Sequence, residues 1–293
     1  MRPVTGNPSR REFLARSAAL AGVASLAGRQ ASASEERPIL DFPLVDLHAH
    51  LDNSSLEQVL PLGAERRVKF GIVEHAGTKE NKYPTVLSND DELLAYLEKL
   101  EGKGVYRGLQ AEWTDWAGCF SPEVLSRVDY VLTDAMTFPG KGGRRVKLWE
   151  KVDEDEVGLR DHDRFMDRFV DWHVQIIETE PFDILANASW LPDALLPSYA
   201  RLWTEPRIRK VVDAALKRGV AIEISASYRL PKLAFLRKAK AAGAKFSFGS
   251  NGRYPNMGKL DYCVEMARAL GLKAPDMFIP GTQDQKAVVR RGK

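Results

Sequence analysis

The chain has 293 residues, a formal charge of +3, 44% hydrophobic residues and 28% charged residues. This is the composition of an ordinary globular protein, of a length for one large domain or two small ones. The slight basicity, without a Lys/Arg run interleaved with aromatics, makes no case for a nucleic-acid partner. Two distant cysteines, Cys119 and Cys263, make neither a disulfide framework nor a Cys-x-x-Cys site.

Residues 1–34 read as an export signal. Arg10 and Arg11 precede Phe13 and Leu14, an Ala/Leu/Val stretch runs from Ser17 to Gly28, and Ala31-Ser32-Ala33 offers a small-residue cleavage site. The pattern is that of a twin-arginine signal. The export machinery is then the precursor's partner, and the mature protein is expected in the periplasm or outside the cell. The apolar stretch is shorter than the roughly 20 residues a spanning helix needs, so no stable membrane anchor is expected. Residues 35–42 read as a linker.

From residue 43 to 273 short apolar runs alternate with amphipathic stretches. The runs are Leu44–Leu51, Val68–Ala76, Val105–Trp113, Val128–Met136, Phe182–Ser189, Val220–Ser227 and Ala244–Asn251. Rich in Val, Ile and Phe, they read as buried parallel strands. Helical spacing marks Ser55–Arg67, Asp90–Gly102, Asp161–Glu178, Glu205–Arg218, Pro231–Ala242 and Leu260–Leu270. Ser54, Asn89 or Asp90, and Asp161 are candidate N-caps, while Gly104, Gly219 and Gly243 fall where helices should stop. Strand–helix alternation predicts an α/β barrel or an open doubly wound sheet. Residues 274–293 read as a fraying tail.

In a barrel the C-terminal strand ends converge on one face, where function gathers. The first run carries Asp46, His48 and His50, and residues two apart share a face of a strand. Two of only five histidines can therefore aim at one ion. Later runs bring Glu74-His75, Glu112-Trp113, Asp134, Asn187, Glu223 and Ser250-Asn251-Gly252-Arg253 to the same end. His162 and His173 fall in the long helical segment and read as structural. Trp113, Trp116, Phe120, Phe138, Trp190, Tyr228 and Tyr254 fall near the mouth, as pocket lining or as packing under loops.

These strand-end motifs resemble the PHP (polymerase and histidinol phosphatase) superfamily. The resemblance runs from about Pro43 to Gly271. It matches the family's opening His-x-His at His48 and His50, its second motif at Val73-Glu74-His75, and its bridging glutamate at Glu112 in GLQAEW. It implies a single (β/α)7 distorted TIM-like barrel with up to three metals. The chain departs from the family at Met136, Asn187, Asn251 and Arg253, where ligands are usual, so fewer than three ions are expected.

The resemblance implies a divalent ion (Zn, Mn or Fe) on His48, His50, His75 and Glu112, with Asn251 as a neutral donor. Glu74, Asp134 and Arg253 become candidate catalytic groups. Arg253, with Arg229, Asn187 and Trp113, is expected to bind a small anionic substrate. The implied function is an exported metal-dependent hydrolase, a phosphoesterase acting through metal-activated water. The alternatives are a degenerate barrel that binds a ligand without catalysis, and an amidohydrolase-like enzyme.

Overall fold

Among the described residues ten strands follow in chain order: β1 (Leu44–Ala49), β2 (Val68–Ala76), β3 (Val86–Leu87), β4 (Tyr106–Ala111), β5 (Tyr130–Thr133), β6 (Thr137–Pro139), β7 (Arg145–Lys147), β8 (Ile184–Leu185), β9 (Ala221–Ser225) and β10 (Phe246–Gly249). The computed structural model describes residues 40–52, 54–281 and 286–291. The export signal expected at 1–34 lies outside the described residues. Among the described residues no helix is long and apolar enough to cross a membrane.

Each of the seven apolar runs supplies one barrel strand. The sheet runs β1-β10-β9-β8-β5-β4-β2, and β2 pairs back with β1, so seven parallel strands close into a TIM-like barrel. Closure leaves these seven strands no free edge. β3 adds a two-residue strand outside β2, and β6 pairs antiparallel with β7 beside the mouth.

Among the described residues ten α-helices lie around the strands: α1 (Leu56–Arg66), α2 (Asp90–Leu100), α3 (Pro122–Leu125), α4 (Glu154–Val157), α5 (His162–Thr179), α6 (Tyr199–Leu202), α7 (Glu205–Arg218), α8 (Leu233–Ala241), α9 (Asp261–Leu270) and α10 (Ala287–Arg290). Asn89 and Asp161 cap α2 and α5, each accepting from a backbone N–H in the first turn. The residue at the N-cap of α1 is Ser55, one place after the expected Ser54, whose hydroxyl instead donates to Leu51 O. Gly219 ends α7 in the left-handed conformation that glycine adopts without a Cβ penalty.

Two cores result. The outer one lies between strands and helices, where α5 buries Phe165, Phe169, Trp172 and Ile176 along one face. The inner one fills the barrel with Val45, Leu47, Val73, Tyr130, Leu132, Ile184 and Phe278. Tyr130 fits only because Gly71 and Gly108 face it, since a Cβ at either position would overlap its phenol ring. Its hydroxyl donates to Leu47 O at 2.8 Å.

Described residues after Gly271 pack against the barrel. Phe278 N–H donates to Phe246 O at 2.7 Å, and the Phe278 ring joins the inner core. Further on, α10 packs against α3 and β5, and Ala287 N–H donates to the buried Asp183. One apolar residue in a Pro/Gly-rich stretch thus closes the floor of the barrel.

Candidate active site at the barrel mouth

The C-terminal strand ends carry a cleft of about 120 Å³, lined by His50, His75, Tyr83, Gln110, Asp134, Met136, Trp149, Asn187, Tyr228, Asn251 and Arg253. Five non-glycine residues near these strand ends hold a positive φ: Asp52, Trp113, Asn187, Arg229 and Asn251. Such backbone is disfavoured outside glycine, least so for Asn and Asp, and it clusters where function over-determines the chain.

His48 and His50 diverge in role. The β1–β2 register slips between Asp46 and Ala49, a local irregularity that re-aims side chains. His48 Nδ1 lies 2.7 Å from Glu223 Oε1, and its Nε2 lies 3.0 Å from Gln110 Oε1. Two oxygen acceptors suit a ring that donates from both nitrogens. Burial pulls the His48 pKa down, but the Glu223 charge and these bonds outweigh it and the net shift is upward. Glu223 Oε2 also accepts Asn187 N–H at 3.0 Å. Gly249 makes room for the pair, since a Cβ there would overlap Glu223 and crowd His48.

His50 is fully buried, and neither of its ring nitrogens has a partner in standard hydrogen-bond geometry, Gln110 approaching it only weakly. Burial, with the nearby His48, His75 and Arg253 charges, holds its pKa well below the ordinary value. His75 lies beside it, ring centroids 4.9 Å apart and nearly parallel. His75 Nδ1 meets Glu112 Oε1 at 2.8 Å, and its Nε2 is unpartnered. Burial pushes the Glu112 carboxyl up to about 8 and the His75 imidazole down to about 3. Burial thus disfavours the charged form of both partners across this bond. Tyr83 stacks on His75 at 3.7 Å and donates to Glu112 Oε2 at 3.1 Å.

Asp134 reaches the cleft from the end of β5. Its Oδ1 accepts Met136 N–H and its Oδ2 accepts from Asn187 Nδ2 at 3.2 Å. Burial and then the Glu112 charge raise its pKa to about 6. Asn251 Oδ1 accepts from Arg253 Nη1, while Arg253 Nε donates to Asp52 at 2.6 Å. Asp46 stays out of the cleft as a buried clasp, accepting from His48 N, Ser250 N and Oγ, and Gly258 N.

Other expected residues stand outside the cleft. Glu74 is buried on the other side of β2, where burial and then Asp52 push its pKa up to about 7. Arg229 pairs with Glu265 and lines an adjoining 470 Å³ cleft with Arg253 and Lys259. Trp113 packs on Trp172 and takes the Arg145 guanidinium over its ring. Trp116, Phe120 and Phe138 are buried in the outer core rather than lining a pocket.

Sequence reasoning misses Gln110, Tyr83 and Trp149. Gln110 had a signal, since it precedes Glu112 by two and so shares its face of β4. Tyr83 and Trp149 sit in irregular segments that carry no periodicity.

Among the described residues no group of three or more His, Cys, Asp or Glu side chains is arranged to hold a metal ion. The expected donors are divided instead. His48 is bonded at both nitrogens, Glu112 serves His75 and Tyr83, and Asn251 serves Arg253. Three ring nitrogens remain, two on His50 and one on His75.

No family model and no curated protein matches the chain. Among solved structures it is similar to an HpcH/HpaI aldolase from Desulfitobacterium hafniense DCB-2, with 11% identity over 71% of this chain and 86% of that one, at a TM-score of 0.35. A likeness that slight carries no argument about activity. The expected membership of the polymerase and histidinol phosphatase superfamily is not upheld, since no family model matches the chain. The hydrolase and phosphoesterase readings fall with it. The motifs behind them are two or three residues long, and one barrel architecture hosts many chemistries.

Proposed function

We propose that the barrel mouth is an enzyme active site for a small anionic molecule, and that His50 and His75 hold one divalent transition-metal ion there. The observation that supports this reading is the set of orphaned ring nitrogens. A buried polar atom without a partner costs about 1–3 kcal/mol, so its persistence calls for an occupant. Neutral imidazole is a ligand for zinc, manganese and iron alike. When bound, the ion supplies polarisation of a substrate oxygen.

The protein's own side chains do the rest. Glu112 sets the His75 tautomer: with the acid ionised, His75 Nδ1–H donates to it and Nε2 offers a lone pair. Loading an ion on His75 therefore releases a proton from this pair. Asp134, titrating near 6, is poised to exchange a proton close to neutrality. Arg253 presents a guanidinium to an anionic group at the rim, with Arg229 and Lys259 beyond it. His48 and Glu223 brace the floor of the cleft.

We also infer export by the twin-arginine route, which would deliver the folded, loaded protein. Lysine at positions 10 and 11 should retain the precursor in the cytoplasm, and unchanged export would count against this.

Elemental analysis of protein purified without chelator tests the metal reading, beside the double variant His50→Ala/His75→Ala. About one ion per chain, lost in the folded variant, supports it. No ion in the wild type, or an ion retained by the variant, overturns it.

A further inference from the structure

A larger cavity of about 430 Å³ adjoins the mouth and shares Trp149 and Tyr228 with it. Trp190 lines it too, and Glu150, Glu154 and Asp193 stand around it. Trp149 and Tyr228 are 38% and 39% exposed, whereas most large apolar side chains of the described residues are buried. Exposed rings converging on one cavity mark a binding surface.

The charge on the cavity lining itself is one-sided. The lining holds three carboxylates and neither Lys nor Arg. Lys147, just outside, meets Glu150 at 3.8 Å. Glu154 and Asp193 have no ion-pair partner among the described residues. Two exposed rings and the buried Trp190, beside two carboxylates without an ion-pair partner among the described residues, select one ligand class. A neutral ring would stack but leave the carboxylates unanswered, and an anion would be repelled. An organic cation answers both, through the ring quadrupoles and the carboxylates. The same ring system already takes an ammonium, since Lys147 Nζ lies 4.1 Å from the Tyr83 ring centroid and 5.6 Å from that of Trp149.

We propose that this cavity is a binding subsite for an alkylated ammonium group. The shared wall places such an occupant beside the mouth, with the basic cleft of Arg229, Arg253 and Lys259 beyond. The substrate would then be zwitterionic, with its cationic end at Trp149 and its anionic end at Arg253. That last step rests on the proposed function, and the subsite does not.

Calorimetric titration of the whole chain with tetramethylammonium chloride tests it, against sodium chloride and against tert-butanol as an uncharged molecule of similar shape. Saturable binding is expected, about tenfold tighter than that of tert-butanol, the factor expected of a partly desolvated cation–π contact. Trp149→Leu should abolish it, and Glu154→Gln/Asp193→Asn should weaken it by about tenfold. His50→Ala should leave it intact, so that loss of the metal site and loss of the subsite read separately. Absence of saturable binding, equal binding of tert-butanol, or indifference to the Trp149 and paired charge variants overturns the proposal. So does loss of binding in His50→Ala, which would put the cation at the mouth.

Discussion

The floor and the mouth of this barrel are built on the same seven strands and satisfied to opposite degrees. At the floor Tyr130 fills the space left by Gly71 and Gly108, its hydroxyl has an acceptor, and Phe278 closes the end. At the mouth His50 is as deeply buried as Tyr130, yet both its ring nitrogens lack partners. His173, buried in α5, shows what an ordinary core histidine does: its Nδ1 meets Phe169 O at 2.7 Å. The difference separates stability from function along one set of strands. In the inner core the Tyr130 hydroxyl is paired, whereas at the mouth the His50 nitrogens are not.

The sharpest way to break the comparison is at the floor. Phe278→Ala should cost about 3–5 kcal/mol of stability, by lost burial plus a cavity, and leave metal content unchanged. A denaturant midpoint and elemental analysis read the two separately, and a variant that lost its metal while keeping its stability would reverse the assignment.

Glu223→Gln comes next. It removes the charge that holds His48 and should cost about 1.5–3 kcal/mol, the range for a bond to a charged group. A change below about 0.5 kcal/mol, the range of a surface substitution, would mean that the pair does not brace the mouth.

His50→Leu should act in the opposite sense. Removing two orphaned polar atoms should stabilise the metal-free protein by about 1 kcal/mol while abolishing its metal binding. Destabilisation without metal would show that His50 is a structural residue.

The smallest effect is a pH slope. The folded pKa of Glu112, about 8, lies above the ordinary 4.5, so the metal-free protein keeps this contribution below 4.5 and loses it as pH rises through 8. His75 runs the other way, with a folded pKa of about 3 below the ordinary 6.5. Its contribution is present above 6.5 and lost as pH falls through 3. Glu112→Gln should flatten the alkaline limb alone, as read by thermal unfolding from pH 5 to 9. An unchanged alkaline limb would assign the slope to Asp134 or Glu74.

Much of the scaffold is legible in the sequence. β2 coincides at both ends with the apolar run Val68–Ala76, because a buried parallel strand leaves an unbroken apolar signal. The run Phe182–Ser189 shrinks to Ile184–Leu185, since Asn187 turns into the left-handed region. The mouth is legible as a set of strand ends and illegible as a set of partners. Nothing near His48 announces Glu223, 175 residues away. Nor does spacing distinguish His48, bonded at both nitrogens, from His50, bonded at neither. The floor escapes for a similar reason, because Phe278 sits among prolines and glycines without periodicity.

The most direct measurement is the histidine side-chain ¹⁵N spectrum of the chelator-treated protein, before and after one equivalent of Zn²⁺. His50 and His75 should move from neutral, uncoordinated shifts to metal-bound ones, while His48 stays protonated on both nitrogens throughout. A metal-bound His48, or a His50 that does not respond to the ion, would contradict the division of the mouth into a braced histidine and two open ones.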